Sequence, residues 1–68
     1  MHAVGRASSN EPVFANITYR GNKNSEKFVA FVGKGVCFDS GGLDIKHPPA
    51  MREMFLDKQG ACSVLAAF

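Results

Sequence analysis

Four charged side chains stand close together behind an apolar run in the stretch Val32 to Lys46, VGKGVCFDSGGLDIK: Lys34, Asp39, Asp44 and Lys46, interleaved with Gly33, Gly35, Gly41 and Gly42. Asp57 follows after a proline-containing loop. Two chemistries suit such a set. Glycine-rich turns after strands aim backbone amides at phosphates, and carboxylates converging at the carboxyl end of a sheet hold divalent cations. The spacing counts against the strong phosphate motifs. Gly33-Lys34-Gly35 lacks the third glycine of a dinucleotide fingerprint, and Gly35 to Gly41 is one residue too long for a P-loop and lacks its Lys-Ser/Thr ending. The metal alternative has Asp39 and Asp57 to offer, although two aspartates at this separation are most often a turn residue and a helix cap. Spacing alone leaves both open.

Other metal-binding residue types are isolated. His2 and His47 have no second histidine at helical spacing, and His47 beside two prolines reads as a surface loop residue. Met51 and Met54 read as packing residues. Cys37 and Cys62 form neither a C-x-x-C pair nor a disulfide framework, so both are expected as buried small groups in a reducing, cytoplasmic compartment.

The elements that must position these groups follow from periodicity. Val13, Ala15, Ile17 and Tyr19 alternate with Phe14, Asn16 and Thr18, which predicts a strand with one better buried face. Arg20 to Glu26 is polar and turn-rich, too short for a crossover helix, so the next strand is expected to return antiparallel. That strand is Lys27 to Gly33. Its unbroken apolar run from Phe28 to Val32 predicts a central position covered on both faces. Ser8 to Pro12 reads as a loop. Pro48 and Pro49 are expected to keep His47 and Pro48 out of helical geometry, after which Met51, Met54 and Phe55 recur as in a short helical turn. Asp57 would cap or charge the first turn of a helix through Ala61, Val64, Leu65 and Phe68. That helix carries no closing glycine or basic last turn, so truncation within it is expected.

Composition bounds the function. With 68 residues, 46% hydrophobic and 21% charged, the chain is one globular unit at most, and a unit this small is marginal without staples. The net charge is +2, and the basic residues are scattered without aromatic interleaving, which argues against a nucleic-acid partner. No wholly apolar run is longer than Phe28 to Val32, far short of the ~20 residues that cross a bilayer, so no membrane partner is expected. The Asn16-Ile17-Thr18 sequon lies in a chain without a secretion signal and carries little weight.

The ordered match of VGKGVCFDSGGLDIK with the later MREMFLDKQGACSVLAAF, reaching back through AVGRASSNEPVFANITYRG, resembles the leucyl (cytosol) aminopeptidases. Lys34 to Asp57 is its most specific part. The resemblance implies a dinuclear metallopeptidase: Lys34, Asp39 and Asp57 as ligands of two divalent ions, zinc or manganese, and Lys46 as a catalytic lysine outside the ligand set. Asp44 has no carried-over role. The implied reaction is hydrolysis of the N-terminal peptide bond of peptide substrates, with leucine and other apolar residues favoured. The family's complete enzymes are commonly hexamers, which implies a homo-oligomer.

The chemistry accords with those roles. An amine donates its lone pair only when neutral, a carboxylate has two oxygens with which to bridge, and an ammonium beside the site would stabilise a developing oxyanion. The family also has an N-T-D-A-E-G-R segment with two further acidic ligands and an arginine. That segment does not occur here, so the isolated chain is expected to be inactive. Lys58-Gln59 stands where the family more often has methionine and glycine, placing an extra cation beside Asp57. The resulting expectation is an α/β fold: a mixed β-sheet with covering helices, part of a larger three-layer catalytic domain, with residues 1–68 as its N-terminal portion. The alternative is a catalytically silent binding or assembly module derived from the same family.

Overall fold

The computed structural model describes residues 1–68. Its regular elements are all helical: α1 (His2–Gly5), α2 (Pro48–Arg52), a 3-10 turn (Glu53–Leu56) and α3 (Gln59–Ala67). The α/β expectation is not met. Residues 11–20 and 25–36 contain no strand, and none of the 22 backbone hydrogen bonds joins the first stretch to the second. Neither the alternating strand at Val13 to Tyr19 nor the central strand at Lys27 to Gly33 forms a sheet.

The physical reason is that a strand exists only as a paired backbone, and its pairing must be combined with cover for its side chains. The run from Phe28 to Val32 needs cover on both faces. These residues supply one nine-residue helix against it. Val29 and Val32 are accordingly 82% and 91% exposed, and no residue of the chain is buried. The radius of gyration is 15.7 Å, whereas a compact domain of this length would have about 11 Å.

The helical expectations fared better. Pro48 and Pro49 open α2, with His47 as its extended N-cap residue (ψ 149°). Pro48 is therefore helical, contrary to expectation, because proline suits the first helical position, where its missing N–H has no intrahelical partner to lose. Met51 and Met54 face inward enough to be half-buried on consecutive turns.

α3 begins differently from the sequence reading. Lys58 is its N-cap residue and no side chain caps it; Asp57 precedes it in a turn. The cap comes from elsewhere in the chain. The Ala61 N–H donates to the Lys34 carbonyl at 2.8 Å, and the Val36 N–H donates to the Asp57 carbonyl at 3.1 Å. These two bonds hold the glycine-rich segment against the start of α3. They satisfy one of the amides that a helix N-terminus leaves unpaired.

Further along α3, Tyr19 meets Phe68 edge-on with ring centroids 6.5 Å apart. Tyr19, Phe31, Val64, Ala67 and Phe68 line a shallow apolar groove. The half-buried positions Gly33, Val36, Asp39, Lys46, Met51, Met54, Asp57, Ala61 and Val64 make the motif region the best-packed part of the molecule.

Candidate active site

Close backbone approach explains how Lys34 reaches Asp57. A Cβ on Gly33 would lie 2.6 Å from the Gly60 carbonyl oxygen and 2.7 Å from the Ala61 Cα. From the other side, a Cβ on Gly60 would lie 3.2 Å from the Lys34 nitrogen. A side chain at Gly33 would force these backbones apart, and one at Gly60 would require the Lys34 backbone to give by a few tenths of an ångström. Lys34 Nζ then sits 3.1 Å from Asp57 Oδ2.

The second pair is built by a turn. Gly41 and Gly42 have φ of +97° and +79°, backbone conformations costly for residues with a Cβ. A Cβ on Gly41 would also lie 2.7 Å from the Asp44 carbonyl oxygen. The turn closes with the Lys46 N–H donating to the Ser40 carbonyl at 2.8 Å. Chain reversal brings the Lys46 ammonium onto Asp39 Oδ1 as a hydrogen-bonded ion pair. Asp39 and Lys46 side chains are 22% and 25% exposed, so this pair is better shielded than Lys34–Asp57, at 64% and 31%.

The electrostatics link the pairs. The hydrogen bond from Lys46 holds the Asp39 carboxyl below its ordinary value, against an opposing desolvation effect; the Lys46 charge, the Gly41 backbone amide and the Lys34 charge add to the lowering. Lys34 thus contacts one aspartate and acts on the other through its field.

All four residues singled out by the sequence, Lys34, Asp39, Lys46 and Asp57, therefore take part in the two ion pairs. Asp44 contributes its backbone to the turn. His2 lies in α1, and His47 forms the N-cap of α2. Cys37 and Cys62, expected as buried, are exposed free thiols. Sequence reading missed Gly33 and Gly60 as structural determinants, and it missed the capping role of the Lys34 carbonyl. A glycine at the second position of a helix was the available signal, because it weakens the helix unless close packing requires it.

An amine and two carboxylates are suitable donors for a hard or borderline divalent ion. No group of three His, Cys, Asp or Glu side chains assembles here. Each of the two carboxylates is paired with a lysine.

The two ion pairs are thus held by glycine turns and by the backbone bonds at the start of α3. Comparison with known proteins specifies the family. Residues 1–68 match the model of the cytosol aminopeptidase family, catalytic domain, and the chain belongs to that family. It is 54% identical over 66 residues to a probable cytosol aminopeptidase of Sulfurihydrogenibium sp. (strain YO3AOP1), covering 97% of this chain and 13% of that protein. The corresponding protein of Persephonella marina (strain DSM 14350 / EX-H1) is 52% identical with the same coverage. That of Aquifex aeolicus (strain VF5) is 45% identical over 65 residues, or 96% of this chain and 13% of the relative. The chain thus spans about 13% of the length of these relatives. No solved structure matches it. No helix is long and apolar enough to cross a membrane.

Proposed function

We propose that these residues are the N-terminal part of the catalytic domain of a metal-dependent aminopeptidase, one that hydrolyses the N-terminal bond of peptides with leucine or another apolar residue in first place. The observation that carries the reading is the gathering of Lys34, Asp39, Lys46 and Asp57 into two ion pairs, with Lys34 also acting on Asp39. Lys34, Asp39 and Asp57 would hold divalent ions, zinc or manganese, together with donors from other segments. When bound, such ions supply Lewis acidity for a carbonyl and lower the pKa of a water.

The chain's own groups divide the remaining work. Lys34 would serve as an amine donor once its proton has passed to solvent, which would free Asp57 of its present partner. Asp39 offers two oxygens on one rigid carboxylate. Lys46, once released from Asp39, would donate to the oxyanion that forms as the substrate carbonyl becomes tetrahedral, a stabilisation that acts where charge develops. The turn locked by Gly41 and Gly42 aims it.

The test is leucine-amide hydrolysis by the complete polypeptide that contains these residues, with added manganese. Activity abolished by Asp39→Asn and reduced by Lys46→Gln supports the reading. Undiminished activity in both variants would reject it.

A further inference from the structure

The clamp between the Lys34 segment and the start of α3 has a role beyond local packing. Two hydrogen bonds, Ala61 N–H to the Lys34 carbonyl and Val36 N–H to the Asp57 carbonyl, bind the backbone of each ion-pair residue to the segment that carries the other. Any change in the separation of the two backbones therefore moves Lys34 Nζ relative to Asp57 Oδ2. Three glycines line that approach. At Gly33 a Cβ would meet backbone atoms, the Gly60 carbonyl oxygen at 2.6 Å and its carbon at 2.8 Å, which cannot rotate away. At Gly60 the obstacles are the Lys34 nitrogen and oxygen at 3.2 and 3.3 Å. At Gly35 the neighbour is only the Ala61 methyl, at 3.0 Å.

We propose that Gly33 and Gly60 are positioning residues for divalent-cation binding: the absence of their side chains sets the distance between the Lys34 and Asp57 donors. The inference rests on the metal-site reading above. It places control of a charged pair in two residues that carry no functional group. Supporting residues behind metal ligands commonly alter affinity by about 10- to 100-fold. A backbone spacer beneath two ligands at once belongs in that range.

The experiment measures manganese affinity and stoichiometry by electron paramagnetic resonance on the complete polypeptide that contains these residues. Asp57→Asn comes first: wild-type affinity in that variant removes the metal-site reading itself. With Asp57→Asn weakened, Gly33→Ala is expected to bind the same number of ions with affinity lowered about tenfold or more. A purely structural role would instead lower the bound fraction at unchanged affinity, and that result overturns the proposal, as does wild-type binding. Gly35→Ala should be milder and restored by Ala61→Gly, because its clash is with a methyl group. The Gly33→Ala defect should resist the same rescue. Should Gly33→Ala fail to fold, Gly60→Ala decides the matter. Alanine favours the helix, so loss of affinity without loss of thermal stability supports positioning, and unchanged affinity refutes it.

Discussion

Lys46 donates a hydrogen bond to the carboxylate of Asp39, seven positions earlier in the chain. The reversal that makes this possible is confined to the turn containing Gly41 and Gly42, where both glycines have positive φ. A catalytic candidate and a ligand candidate thus share one short covalent loop. Their geometry depends little on the rest of the molecule.

The first prediction concerns pH. Asp39 titrates below its ordinary value chiefly because Lys46 donates to it. A carboxyl whose folded pKa is depressed contributes stability above its unfolded pKa, and loses it as pH falls through the folded value. Since an unperturbed aspartate titrates near ~3.9, the pairing should persist at pH 4 and disappear at lower pH. Carboxyl-carbon NMR titration of metal-free protein should show this. Lys46→Gln should move the Asp39 titration upward, and an unmoved midpoint would contradict the assigned cause.

Gly41 and Gly42 should respond unequally to alanine. Both require a disfavoured backbone conformation, at a cost of about 1 to 3 kcal/mol for a residue with a Cβ. Gly41→Ala adds a 2.7 Å clash with the Asp44 carbonyl oxygen, whereas a Cβ on Gly42 meets nothing within 4 Å. Gly41→Ala should consequently abolish the depression of the Asp39 pKa, while Gly42→Ala preserves part of it. The same titration distinguishes them.

The order of the four charged positions could be read without any knowledge of packing, whereas their pairing as Lys34–Asp57 and Asp39–Lys46 appears only in the structure. α3 was legible too, from its small and apolar composition. Its cap was not: Asp57 looked like the local solution, but the Lys34 carbonyl, remote in sequence, meets the Ala61 amide. The sheet was misread for a related reason. The apolar pattern from Phe28 to Val32 records a demand for cover on two faces without recording what supplies it. Local pattern specifies what a segment needs, and pairing depends on what lies near it.

Asp57→Asn should separate stability from binding. Lys34 is 64% exposed and Asp57 31%, and ion pairs this open to solvent contribute about 0 to 1 kcal/mol. Thermal unfolding of the complete polypeptide should shift little in the metal-free state. Manganese affinity should nevertheless fall by at least about tenfold, as loss of a ligand exceeds the effect expected for a supporting residue. Equal losses in both measurements would indicate a structural role for the pair.

The isolated 68 residues should not unfold cooperatively. Cooperativity requires a core that forms as a unit, and here no residue is buried while Val29, Val32 and Leu43 stand open to solvent. Backbone hydrogen bonds number 22, where a folded domain of this length would have roughly 45. Hydrogen exchange should therefore be fast along residues 11–33, with the strongest protection at the Val36 and Ala61 amides that join the glycine-rich segment to α3. Circular dichroism should show weak helix signal and a broad thermal change, and leucine amides should not be hydrolysed. A sharp melting transition, with a scattering radius near the ~11 Å of a compact domain, would overturn this expectation and establish that the segment folds independently.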